Sequence, residues 1–181
     1  LNHKARYLFL IFLLPMFLFA QASDNESSDP PRAFDNLSLG MSYDALLDAL
    51  AESSYFIYRG RPDVSMLDPL DRTTIEVRGA GFVYRGFFTF YEDQLYSMSI
   101  VLHEARLDYF TLWRTLQERY GDPQAINPKH SVWENETTRL SLEQPATLKY
   151  LDKTTFNKLL DRSNTDKSAL DRSRDRFLEQ L

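Results

Sequence analysis

The spacing of apolar and polar residues changes period several times along the chain, and each change marks an element. In "LSLGMSYDALLDAL" (37–50), Leu46, Leu47 and Leu50 fall on one helical face. Ser42 stands where a cap belongs, and Asp44 lies in the first turn, where the helix dipole favours an acid. This predicts a helix over 43–52. A strand over 54–59 and a loop over 60–71 with two prolines follow. Strict alternation then sets in. Residues 73–78 place Ile75 and Val77 on one face, and Gly79-Ala80-Gly81 makes a turn. Residues 82–91 direct Phe82, Tyr84, Phe88 and Phe90 one way and Val83, Phe87 and Tyr91 the other. After a tight connection at Glu92-Asp93, residues 95–102 turn Tyr96, Met98, Ile100 and Leu102 inward and Ser97 and Ser99 outward. Such alternation means one buried face and one wet face.

The helical period returns at 107–120, where Tyr109, Leu112, Trp113, Leu116 and Tyr120 share a stripe. Gly121 ends it as a left-handed cap and Pro123 prevents a restart. A strand over 131–134 and a final hairpin, 137–142 with 147–151, keep Leu140, Leu142, Leu148 and Tyr150 inward. The chain therefore reads twice as a helix followed by a meander. Antiparallel strands with helices on one face make an α+β domain over 34–160, in halves of about 34–104 and 105–160.

The two ends do not follow these periods. Lys4 and Arg6 precede an apolar run over 7–19, and Ala20-Gln21-Ala22 then offers small residues at the positions a signal peptidase reads. This pattern predicts a cleaved secretory signal over 1–22, with the cut after Ala22. The run is shorter than the roughly 20 apolar residues a bilayer needs, so no stable membrane span is expected after cleavage. Residues 23–33 form an acidic, proline-containing linker. At the other end, 161–181 mixes charges of both signs, with Leu170, Phe177 and Leu181 able to share one face. It reads as a solvated, partly helical tail or a helix that docks on a partner.

Composition narrows the function classes. The 181-residue chain has a net charge of −5, and the signal segment holds two basic residues and no acid, so the mature chain is more acidic still. Such a chain is a poor match for nucleic acid, whose phosphates require a basic surface. The chain has no cysteine, which removes disulfides and thiolate metal sites and leaves no lipid acceptor at the cut. The location expected is the periplasm of a bacterium, or secretion beyond it.

The entry Gly40-Met41-Ser42 and the exit Tyr120-Gly121-Asp122-Pro123 resemble the helix boundaries of small periplasmic proteins of the outer-membrane-assembly lipoprotein type. The doubled helix–meander layout is similar to that of the β-lactamase inhibitor protein. The resemblance covers about 34–151 and implies a non-catalytic, protein-binding fold. The chain departs from the lipoprotein pattern in lacking the lipid-acceptor cysteine.

Catalytic signatures do not assemble. His103 and His130 have no metal-ligand neighbour at useful spacing, no G-x-S-x-G occurs, and the glycines of "RGAGFVYRG" (78–86) separate strands rather than open a helix, which reads as a hairpin turn and a bulge. The sequence gives no motif for a cofactor or metal. What stands out is Tyr-Arg-Gly, present at 58–60 and again at 84–86. Tyrosine beside arginine gives large contact area with polar ends, the composition of binding hot spots. Tyr58, Arg59, Arg61, Tyr84 and Arg85 are therefore the candidate binding residues. The reading that follows is an exported, non-catalytic binding module for another envelope protein or for a second copy of itself. The alternatives are a small-ligand or glycan binder using the same aromatic and arginine face, and an enzyme of unrecognised type.

Overall fold

The computed structural model describes residues 29–60, 63–65 and 72–178, with the backbone alone at 63–65 and over parts of the last helix. The chain enters through a small hairpin, β1 (Ala33–Phe34) with β2 (Leu37–Ser38). Helix α1 (Tyr43–Glu52) follows, with Ser42 accepting from the Ala45 N–H as its N-cap. A first meander comprises β3 (Asp63–Ser65), β4 (Arg72–Arg78), β5 (Val83–Tyr91) and β6 (Gln94–Leu102). Helix α2 (Tyr109–Tyr120) then leads to β7 (Ala125–Asn127), β8 (His130–Glu134), β9 (Thr138–Glu143) and β10 (Thr147–Asp152). The eight strands form one antiparallel sheet in the order β3-β4-β5-β6-β10-β9-β8-β7. Each meander runs from an edge to the middle, and their last strands pair there, with Met98 opposite Tyr150 and Ile100 opposite Leu148. The α+β class and the doubled helix–meander plan are both present.

Short elements escaped the periodicity. β1, β2, β3 and β7 have two or three residues each, too few to show a period. The strand expected over 54–59 is reduced to a single bridge, Phe56 with Gly79. Its backbone bonds to the turn around 78–80, and the chain then leaves the ladder through Gly60 at φ +116°.

One face of the sheet carries the core. Leu46 and Leu50 of α1 and Leu112 and Leu116 of α2 pack on Ile75, Phe88, Met98, Ile100, Leu140 and Leu142. Two bulges reassign the faces of β5 and β6. Val83 pairs with Leu102 but Arg85 with Val101, so Tyr84 is an extra residue. An extra residue shifts the side-chain phase by one. Val83 is therefore core at 1% exposure, while Tyr84 turns outward beside Arg85. Thr89 pairs with Ser97 but Phe90 with Leu95, so Tyr96 is the second extra residue. It leaves the inward set and joins Tyr91 and Leu151 on the opposite face, while Leu95 takes a core position.

That opposite face is covered at one corner by α3 (Lys153–Leu178), which starts eight residues before the expected tail. Leu159 packs on the Tyr91, Tyr96 and Leu151 cluster, Lys158 pairs with Glu92 at 2.9 Å, and Arg162 donates to the Tyr91 hydroxyl at 3.0 Å. The side chains of Leu170 and Phe177, and the whole of Leu181, lie outside the described residues.

Asp152 joins the two ends of the domain. Its carboxylate caps α3 by accepting the Thr155 N–H at 2.8 Å and pairs with Arg32 at 2.5 Å. Arg32 also donates to the Thr138 hydroxyl at 2.9 Å. Burial pushes the Asp152 pKa up, but the bonds from Arg32 and Thr155 outweigh it and hold the carboxyl below the usual range. A folded-state pKa below the unfolded value gives stability that is present above about pH 4 and lost as the pH falls through the folded pKa. Asp152→Ala is expected to cost about 1–2 kcal/mol at neutral pH, for a lost cap and a half-exposed ion pair. Urea midpoints of both proteins, taken from neutral pH downward, should converge below about pH 4. A gap that does not narrow would show that the carboxylate charge contributes nothing.

Candidate binding surface

The two Tyr-Arg-Gly copies have different fates. At the first, Tyr58 is half-buried against the core and Arg59 is exposed beside it. Arg61 lies outside the described residues. At the second, the bulge sets Tyr84 and Arg85 together on the face away from α1 and α2. Tyr84 is 49% exposed. The Arg85 guanidinium lies 5.1 Å from the Tyr84 ring centre and pairs with Glu76 at 2.5 Å. The His103 ring meets the Tyr84 ring edge-on, with centres 5.3 Å apart. Arg78 sits directly opposite Arg85 in the β4–β5 ladder. Glu76, Arg78, Tyr84, Arg85 and His103 line a depression of about 440 Å³. The structure thus unites Tyr84 and Arg85 and separates Tyr58 from them.

The same sheet face continues across β6 and β10 into the second half. There a smaller depression of about 320 Å³ is lined by Tyr96, His130, Val132, Arg139, Lys149 and Phe156, among others. Its charges are paired: Arg139 with Glu134 at 2.6 Å and Lys149 with Glu143 at 3.9 Å. The Arg139 hydrogen bond holds the Glu134 carboxyl below the usual range against a burial cost, with Lys153 adding to it. Half-buried Phe87 and Val101 bridge the two depressions. Sequence reasoning did not select this second patch. Its signal was the alternation of Arg139, Ser141 and Glu143 with Leu140 and Leu142, which marks an outward face but nothing of its use.

A family model described as the TP0088 domain matches residues 32–162. The chain belongs to the TP0088 domain family. No curated protein and no solved structure matches it. The matched stretch has a structural meaning. It begins at Arg32, which holds Asp152, and ends at Arg162, which donates to Tyr91. The TP0088 domain therefore comprises the sheet, α1, α2 and only the docked turns of α3. Among the described residues of this TP0088 chain, no three histidine or carboxylate side chains gather to hold a metal ion, and no helix is long and apolar enough to cross a membrane.

Proposed function

We propose that this chain is an exported, non-catalytic binding module that holds another protein of the cell envelope on the outer face of its sheet. The observation that carries the reading is the Tyr84–Arg85 pair. A half-exposed tyrosine and an arginine on the interior strand β5 are pre-set by a bulge, by Glu76 and by His103. Rigid aromatic and arginine anchors lose little entropy on binding and dominate interface energetics. The signal over 1–22 supports export, and the first residue of the mature protein is then Ser23.

The test is in-cell crosslinking of the tagged protein, followed by affinity measurement with the partner it retains. Tyr84→Ala together with Arg85→Glu is expected to weaken the complex at least about tenfold, the loss of one hot spot or more. The melting temperature should hold, since both side chains face solvent. Tyr58→Ala is expected to do the reverse, lowering the melting temperature because Tyr58 packs on the core. An undiminished complex in the double variant would remove this face from the reading.

A further inference from the structure

The depression beside Tyr84 carries a charge imbalance that follows from how its strands pair. Arg78 and Arg85 are direct partners in the β4–β5 ladder, so both side chains rise from the same face of the sheet. Like charges directly opposite each other in a ladder are destabilising. Glu76 answers one of them, pairing with Arg85 at 2.5 Å. Arg78 is exposed, and no carboxylate or other hydrogen-bond acceptor among the described residues meets its guanidinium.

The other groups lining the depression can donate. Arg85 donates to the Tyr84 hydroxyl at 3.4 Å, which leaves the hydroxyl's own hydrogen unused. The His103 ring stands against Tyr84, and its nitrogens meet no partner among the described residues. The carboxylate that lines the depression, Glu76, is already taken by Arg85. One guanidinium, one phenolic hydrogen and one imidazole are therefore left over, on a chain whose net charge is −5.

The ligand that matches this set has a single negative charge and accepts hydrogen bonds in a plane, as a carboxylate does. A guanidinium meets a carboxylate through two parallel N–H···O bonds. A phosphate dianion matches less well, because one cation alone is uncompensated and Glu76 stands beside it. Val101 is the ladder partner of Arg85, and Phe87 lies two residues further along β5. Both are half-buried, so a group entering the depression has apolar surface next to it. That suits an aspartate or glutamate side chain carried on a protein better than a small free acid.

We propose that the envelope protein held on the outer face inserts an acidic side chain into this depression, its carboxylate pairing with Arg78 and accepting from Tyr84 or His103. The proposal rests on the reading of that face as the binding surface and adds the chemistry it recognises. Repulsion between Arg78 and Arg85 is then relieved in the complex and persists in the unbound sheet.

The test uses a defined probe, acetyl-Asp-Trp-Asp-amide, titrated into the full chain and followed by nuclear magnetic resonance on the His103 ring. Acetyl-Asn-Trp-Asn-amide and inorganic phosphate are the controls. Saturable shifts at His103 are expected with the acidic peptide and none with its amide analogue, and phosphate at equal concentration should not displace the peptide. Arg78→Gln is expected to weaken the acidic peptide about tenfold, the loss of one charge-assisted pair. Arg78→Lys keeps the charge without the fork and should lose less. Since Arg78→Gln removes a like-charge pair, its melting temperature should stay level or rise. No saturable shift, equal binding of the two peptides, displacement by phosphate, or an Arg78→Gln protein that binds normally or melts early would each overturn the proposal. The partner retained by crosslinking separates this failure from that of the wider reading. A complex that survives Arg78→Gln but is lost with Tyr84→Ala and Arg85→Glu together would remove the carboxylate contact and keep the face. A complex that survives both would remove the face itself.

Discussion

Trp133→Ala is expected to leave the protein near the edge of unfolding at ordinary temperatures. Trp133 is the largest side chain in the fully buried set, at 1% exposure. It stands opposite Leu140 in the β8–β9 ladder. Its indole N–H donates to the Gly121 carbonyl at 2.8 Å, so one side chain ties an outer strand to the end of α2. Truncating a buried tryptophan costs about 3–5 kcal/mol through lost transfer energy and an unfilled cavity. The abandoned Gly121 carbonyl adds about 1 kcal/mol or more. Against a total stability of roughly 5–15 kcal/mol, little margin is left. Trp133→Phe separates the two effects, keeping most of the volume and dropping the hydrogen bond. Urea unfolding should rank the three proteins wild type, Phe, Ala. A loss below about 1 kcal/mol for the alanine variant would mean that the core closes over the site, contrary to the close packing of protein interiors.

The second large effect is expected at Gly86. This glycine lies in the middle of β5 and is buried. A Cβ there would stand 2.6 Å from the Phe56 ring and 2.8 and 2.9 Å from the Phe88 ring. The two rings meet edge to face with centres 5.5 Å apart, so neither moves without disturbing the other. The glycine serves close approach, and no turn is involved. Gly86→Ala is expected to cost about 1–3 kcal/mol as an overpacked core site. The diagnostic is a double-mutant cycle. Phe56→Leu shortens the nearer neighbour and costs stability alone, but combined with Gly86→Ala it should recover part of the loss. A coupling of at least about 0.5 kcal/mol is expected for residues in contact. Strict additivity in denaturant midpoints would show that the clash is relieved elsewhere.

What could be read from the chain in advance depended on how local the determinant was. Helix α1 spans the residues its pattern predicts, because the cap, the first-turn acid and the leucine stripe lie within one short stretch. The exit of α2 at Gly121 was legible for the same reason, although its backbone, with φ 74° and ψ −165°, is not the left-handed helical cap expected. Its entry was less so: Asp108, which accepts from the Thr111 N–H, starts the helix later than the apolar pattern suggests. The faces of β5 and β6 were legible only away from their bulges. A bulge depends on how two strands meet: the glycines of 78–86 signalled one in that stretch, but not that Tyr84 is the extra residue, and nothing marked Tyr96. The two Tyr-Arg-Gly copies make the limit plain. The first glycine, at φ +116°, leads the chain away from the ladder, while the second is a packing site within it. The cleft between α2 and the N-terminal hairpin was out of reach, since its walls come from the hairpin, α2 and the two central strands.

The pairing of β6 with β10 also bears on how the chain reaches this state. Within each meander, strands join across short turns, so loop closure is inexpensive and can occur early. The central pairing is different. Val101 meets Thr147 and Ser97 meets Leu151, so this pairing has to close a much longer loop, one that holds all of α2. Until then each half presents a long, apolar edge strand to solvent, the kind of edge that adds strands from other chains. The slow step in folding, and the moment of greatest exposure to misassembly, is therefore the closing of that seam.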